Sequence, residues 1–353
     1  MKIRSILVLF ILLLLTSCKG KEVEEKLYKS SDILYLNEDN QSVELSKQMD
    51  KLNDADKIAT SSGKFNKVLS FIPNKEYIEY QTIHGDKFSY IKLPKTKNNI
   101  SGRLSYENNT QEKIDIQSMF FQGNKNVLIK PTSSSKWVPS IQFQVPPHKS
   151  VTIDIDITWD KNGMQELTFF PLERTSDIYR YNGSILSSYR YFVQSKDIKI
   201  DNEMLKEQIF KVESDSNSSN YNFFPEPSWI GADKEDIEYL IKNDKPQTSK
   251  KIRGLKFDAV PYSTTVDILL ADEFGNTDII AETVKIVKNR ITYYNIDEKI
   301  LNRLHQTSKR QFLIIMNNRG ERIIADVKAI EINKKPFPTS YQRVIEFYHS
   351  NQD

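Results

Sequence analysis

The sequence is poor in the residues from which reactive sites are usually built. Its 353 residues include one cysteine, at position 18, so the rest of the chain folds without disulfides. The four histidines, His84, His148, His305 and His349, stand far apart. Zinc sites normally bring two ligands close in sequence, so this spacing excludes the usual zinc pattern, and no metal or cofactor is expected. Glycine occurs 11 times, and neither a Walker loop nor GxGxxG is among the stretches that contain it. HExxH, GxSxG and CxxC are missing as well. Two stretches match SxxK, Ser61-Ser62-Gly63-Lys64 and Ser133-Ser134-Ser135-Lys136; neither has the KTG or SDN partner that serine activation of that kind uses. Beyond Leu15 no apolar run approaches the ~18 residues of a membrane-spanning helix. Charge is also nearly balanced, 50 Lys and Arg against 47 Asp and Glu, which argues against nucleic acid as a partner.

What is present begins at the N-terminus. Lys2 and Arg4 precede an apolar run from Ile6 to Leu15, which ends in Leu15-Thr16-Ser17-Cys18. A run of about ten residues is too short to span a bilayer and has the pattern of a secretory signal peptide. Its ending resembles the lipobox of bacterial lipoproteins. That resemblance implies a signal peptide over 1–17, cleavage before Cys18 and a diacylglyceryl anchor on the Cys18 thiol. The implied place is the extracytoplasmic face of the cell membrane, with the lipid on Cys18 as the membrane contact. Acyl chains bind a bilayer with about 0.8 kcal/mol per buried CH₂, and two make a stable anchor.

The length remaining suggests about two domains. Residues 18–64 are rich in Lys, Glu, Asp, Asn and Ser, a composition that buries little apolar surface, and are expected to be a flexible tether. Leu45, Met49 and Leu52 could mark one short helix within it. Over 65–200 the pattern turns to period two. Val151, Ile153, Ile155, Ile157 and Trp159 share one strand face, with Thr152, Asp154, Asp156 and Thr158 on the other. Further alternating segments at 77–83, 87–93, 100–106, 114–121, 127–130, 141–145, 166–170 and 189–193 are separated by turn signals such as Gln122-Gly123-Asn124 and Pro146-Pro147. Short strands at this spacing predict a β-sandwich. Asn108-Asn109-Thr110, a strand, a Gly-Asn turn and Val145-Pro146-Pro147-His148-Lys149-Ser150 leading into a long alternating strand resemble bacterial immunoglobulin-like domains over residues 101–172. The resemblance implies a fold and no function.

Residues 201–250 read as a helical, aromatic connector. Asp201 and Asp233 each open a short apolar stripe, around Tyr221-Asn222-Phe223-Phe224-Pro225-Glu226-Pro227-Ser228-Trp229-Ile230. A second β-rich unit follows over 251–335, with one helix announced by Asn295-Ile296-Asp297-Glu298. Residues 336–353 are expected to end in a helix carrying Val344, Ile345 and Tyr348. The fold class is thus mainly β: an immunoglobulin-like β-sandwich, a helical connector and a second β-rich domain containing one helix.

No nucleophile, base and orienting group stand in a recognisable pattern, so no catalytic residue is assigned. Asp154, Asp156 and Asp160 offer too few oxygens for calcium, which takes six to eight. The clearest candidates for binding are Tyr179-Arg180-Tyr181 and Tyr189-Arg190-Tyr191, on either side of Asn182-Gly183-Ser184, together with Trp229. Tyrosine rings stack on flat apolar faces, and guanidinium groups bind carboxylates or phosphates through two bonds. In strands each tyrosine pair shares one face and its arginine takes the other. The expected function is a lipid-anchored, non-enzymatic binding or scaffolding protein of the cell envelope, with an envelope protein or a glycan as partner. The alternatives are a solute-binding lipoprotein of a transport system and an enzyme acting on wall glycan.

Overall fold

A computed structural model describes residues 27–36, 44–47, 67–83, 86–173, 189–195, 225–237, 240–242, 245–247, 251–260, 263–306, 310–317, 324–325, 338–339 and 342–347. The chain is mainly β. The first thirteen strands are β1 (Leu34–Leu36), β2 (Glu44–Lys47), β3 (Lys67–Pro73), β4 (Ile78–Ile83), β5 (Asp86–Lys92), β6 (Asn99–Asn108), β7 (Ile114–Gln122), β8 (Lys125–Val127), β9 (Ile129–Pro131), β10 (Ser140–Val145), β11 (Lys149–Thr158), β12 (Glu166–Glu173) and β13 (Tyr189–Gln194). They form two sheets, β1-β10-β7-β12-β13-β5-β4 and β2-β11-β6-β3. Lettered as in an immunoglobulin sandwich, β3, β6 and β11 are A, B and E, and β10, β7, β12 and β13 are C′, C, F and G. The hairpin β4–β5 extends the C′-C-F-G sheet beyond G, while β1 covers the C′ edge of that sheet and β2 the E edge of the A-B-E sheet.

The alternation read from the sequence decides which faces meet. Val151, Ile153, Ile155, Ile157 and Trp159 are buried in one core with Phe71, Leu104, Phe120, Phe143 and Phe169. Phe71 and Phe120 join the two sheets edge to face at 5.0 Å. Gly102 in β6 makes room for this contact. A Cβ there would come within 2.5 Å of the Phe71 ring and 2.7 Å of the Ile72 carbonyl oxygen. Gly102→Ala should therefore lose about 1–3 kcal/mol in a denaturant titration.

The second unit repeats this order. Its elements are β14 (Pro227–Ile230), β15 (Leu240–Lys242), β16 (Lys245–Gln247), β17 (Gly254–Phe257), β18 (Thr264–Asp272), β19 (Thr277–Ile286), β20 (Thr292–Asn295), α1 (Glu298–Gln306), β21 (Gln311–Asn317), β22 (Ile324–Ala325), β23 (Pro338–Thr339) and β24 (Gln342–Phe347). The sheets β14-β17-β20 and β19-β18-β21-β24 are again A-B-E and C′-C-F-G. Helix α1 connects E to F and buries Leu301 and Leu304 in the second core. Its cap is Asp297, whose carboxylate accepts the Lys299 N–H at 2.7 Å. Asn295, the cap the sequence suggested, is instead the last residue of β20, paired with Gly254.

Several expectations are corrected. The tether assigned to 18–64 contains β1 and β2. Leu36 is buried in the first core with Leu34 packed against it, so this stretch has enough apolar surface to be drawn into the sandwich. Leu45 lies in a strand opposite Val151 rather than in a helix; Met49 and Leu52 lie outside the described residues. The described part of the connector holds strands and a turn and no helix. Lys234 takes φ 62° at that turn, and the Ile237 N–H returns to the Trp229 carbonyl at 2.9 Å. The helix opened by Asp201 lies outside the described residues. The expected C-terminal helix is strand β24: Val344 packs on one side of the sheet and Phe347 on the other, so the adjacent apolar residues serve two faces.

A third apolar cluster joins the domains. Met119, Phe121, Phe170 and Leu172 from C and F of the first sandwich meet Leu269, Ala271, Phe312, Ile314, Met316 and Val344 from C, F and G of the second. Phe170 and Phe312 pack edge to face at 5.4 Å. Around them Gln117 donates to the Glu273 carbonyl at 2.5 Å, and Arg310 donates to the Glu173 carbonyl at 2.8 Å. Asn276 exchanges two bonds with the Tyr28 backbone, at 2.7 and 3.1 Å. Among the described residues the four larger sheets thus form a stack, with the two C′-C-F-G sheets in the middle and an A-B-E sheet at each end, and β15–β16 and β22–β23 are separate two-stranded pairs.

Candidate binding face

The structure separates the candidates named from the sequence. Cys18, Tyr179, Arg180 and Tyr181 lie outside the described residues. Tyr191 turns inward, packs edge to face on Phe71 at 5.7 Å and donates its hydroxyl to the Phe71 carbonyl at 2.7 Å. Burial pushes its phenol well above the ordinary range. Tyr189 stacks over Phe169 at 6.3 Å at the rim of the same core. Arg190 takes the opposite face, as the strand period requires, and its buried side chain pairs with Glu166 on the neighbouring strand. Trp229 is only 3% exposed and packs on Phe347 in the second core. Tyr191, Arg190 and Trp229 are taken up by packing and a buried ion pair, whereas Tyr189 keeps 41% of its surface exposed.

An open surface is presented by the outer side of the first A-B-E sheet. Inward residues of β6 and β11 form the core, so their neighbours Ser101, Arg103, Asp154 and Asp156 point away from it. The antiparallel register sets Asp154 opposite Arg103 and Asp156 opposite Ser101. Arg103 grips the Asp154 carboxylate through two bonds, at 2.7 and 3.2 Å. Ser101 donates to Asp156 at 2.6 Å, and Lys130 approaches the other oxygen of that carboxylate at 3.5 Å. The Lys130 ammonium also lies 5.1 Å from the centre of the Trp137 ring. Together with Ile72, Asn74, Lys75 and Thr132, these strands line a shallow cavity of about 470 Å³. Ile72 is 48% exposed and Trp137 37% exposed.

Asp154 and Asp156 each have a cation or hydroxyl against them, so these pairs carry directed donors and acceptors with their charges largely compensated. The pairs also account for Asp154 and Asp156, which the sequence already showed to offer too few oxygens for calcium. Asp160 stands apart, accepting the Asn162 N–H at 2.9 Å in a turn. Among the described residues no group of three or more His, Cys, Asp or Glu is placed to hold a metal ion. Ser133–Lys136 forms a turn in which Ser134 accepts the Lys136 N–H at 3.1 Å; its SxxK partner at 61–64 lies outside the described residues. Ser101, Arg103, Lys130 and Trp137 were not singled out from sequence. The alternation Ser101-Arg103-Ser105 opposite Thr152-Asp154-Asp156 was the available signal, since opposite charges directly across a strand pair attract.

No family description matches this sequence, and no curated protein matches it. Among solved structures, the YadV chaperone aligns over 80% of this chain and 100% of its own, at 12% identity and a TM-score of 0.23. A two-domain protein of unknown function from Bacteroides fragilis aligns over 77% of this chain and 98% of its own, at 11% identity and a TM-score of 0.23. The CsuC–CsuE chaperone–tip adhesion subunit complex of Acinetobacter baumannii aligns over 59% of this chain and 88% of that chain, at 12% identity and a TM-score of 0.18. Likeness at this level leaves the function to be argued from the site itself.

Proposed function

We propose that this chain is a lipid-anchored, non-enzymatic binding protein of the cell envelope, held by Cys18 at the extracytoplasmic face of the membrane, with the outer A-B-E face of its first sandwich as the binding surface and a glycan as the ligand. The observation that supports it is the set of fixed polar pairs beside a half-exposed tryptophan. Neighbouring hydroxyls of a sugar present alternating donors and acceptors, which suit a carboxylate and guanidinium held side by side, and an aromatic ring suits the apolar face of a pyranose. The balance of charge on the face favours a neutral polyhydroxylated ligand over a polyanion. A two-lobed transport protein fits less well, because the seam between the domains is filled by Phe121, Phe170, Phe312 and Ile314.

Two measurements test the reading. Cys18→Ala should move the protein from the detergent-extracted membrane fraction to the soluble one; retention at normal levels would remove the anchor from the proposal. Arg103→Ala with Asp154→Ala removes both halves of an exposed pair and should shift stability by less than about 1 kcal/mol. The same double variant should weaken sedimentation with purified peptidoglycan sacculi at least tenfold. Unchanged sedimentation would show that the face is only a solvated sheet.

A further inference from the structure

The four-sheet stack has a consequence for valency. The C′-C-F-G faces are buried against each other, so among the described residues of the two sandwiches the outer A-B-E faces are the ones left open, at opposite ends of the stack. Sheets pack about 10 Å apart, and three such gaps put the two open faces about 30 Å from each other.

On the second sandwich, Trp229, Leu255 and Tyr294 sit side by side across the A-B-E sheet and pack against or within the second core. Their neighbours Ser228, Lys256 and Tyr293 therefore share the outer face. Asp236, brought back by the turn after β14, joins them. Ser228 donates to its carboxylate at 2.9 Å, and Lys256 pairs with the other oxygen. Lys234 lies over the Tyr293 ring at 5.0 Å, and Tyr293 is 42% exposed. The first face carries the same set. There a serine donates to an aspartate, a lysine pairs with that aspartate, and a lysine lies over a half-exposed aromatic ring. The residues come from different strands and loops, and one lysine does on the first face what two do on the second.

We propose that the outer A-B-E face of the second sandwich is a second glycan-binding face of the same chemical class, and that the protein bridges two glycan strands, one at each end of the stack. The proposal rests on the glycan reading of the first face. Lys256 and Asp236 compensate each other, and the Tyr293 ring beside Lys234 suits the apolar face of a pyranose. The packed seam between the domains fixes the two faces back to back, so one strand cannot fold over both without turning around the molecule. Bridging of two strands is the outcome that this geometry favours.

The test uses the full chain carrying Cys18→Ala, shown to be monomeric by light scattering, and two batches of peptidoglycan sacculi labelled green and red. The unaltered faces should draw the batches into mixed clusters. Tyr293→Ala with Lys234→Ala should abolish mixed clusters while single sacculi are still bound, at least tenfold more weakly because avidity is lost. Arg103→Ala with Asp154→Ala should give the same result from the other end, and the four changes together should abolish binding. Melting temperatures of all variants are compared first; if the Tyr293 pair melts early, Lys234→Ala alone takes its place. Mixed clustering by the second-face variant equal to that of the parent would overturn the second face and leave the first standing. A parent that binds no sacculi would overturn both.

Discussion

Phe170→Asp should split the unfolding of this protein into two transitions, whereas Phe169→Asp should prevent the first sandwich from folding. The two residues are adjacent in β12, and a strand sends neighbours to opposite faces. Phe169 belongs to the core of the first sandwich, stacked on Phe120 at 5.0 Å. Phe170 belongs to the seam between the domains, edge to face with Phe121 at 5.8 Å and Phe312 at 5.4 Å. An uncompensated buried charge costs about 3–5 kcal/mol, against a total stability of about 5–15 kcal/mol. At position 169 the charge cannot reach water while the sandwich is folded, so the cost falls on that domain. At position 170 the domains can part and hydrate the carboxylate, so the cost falls on their docking. Differential scanning calorimetry reads the difference. The parent should melt as one cooperative unit, the 170 variant in two steps, and the 169 variant with only the step of the second sandwich. Identical traces for the two variants would show that the seam is not a separate source of stability.

This contrast also marks how far the sequence could be read. The faces of β11 were legible because its apolar and polar residues alternate without a break. The mainly β class followed from many such segments and the turns between them. The second sandwich was harder to recognise as a repeat of the first, because its A and E strands, β14 and β20, are four residues each, too short for a period to register. A helix also stands where a bare turn could have been. The seam was written in runs such as Phe120-Phe121, Phe169-Phe170 and Ile314-Ile315. A run without alternation signals a strand buried on both faces, which a search for period-two alternation passes over. The binding face was hidden for a different reason. Arg103 and Asp154 are 51 residues apart, and only the pairing of β6 with β11 makes them neighbours. The Tyr-Arg-Tyr pattern stood out in the sequence because it is local, and in β13 it serves packing and a buried ion pair.

Glu346→Ala should be the most damaging single removal of a charged side chain in the second sandwich. Glu346 is 4% exposed, at the end of β24. Arg310, just before β21, holds its carboxylate through two bonds at 2.6 and 2.9 Å. The same guanidinium donates to the Glu173 carbonyl of the first sandwich at 2.8 Å and lies 5.3 Å from the centre of the Phe312 ring. Arginine keeps its charge at any ordinary pH, so deleting the carboxylate leaves a cation at the rim of the apolar seam with no counter-charge from Glu346. The expected loss is about 3–5 kcal/mol in a denaturant titration. Removing both partners is a different matter, since well-packed apolar residues often replace a buried pair at little cost. Arg310→Met with Glu346→Leu should therefore recover most of what Glu346→Ala loses within the second sandwich, while the bond to Glu173 stays broken. The double variant should regain its main transition but show weaker docking of the two domains, seen as a broader calorimetric peak than that of the parent. If Glu346→Ala alone proves harmless, water reaches Arg310 and the pair is a surface contact; if the double variant is as unstable as the single one, the pair itself stabilises the fold.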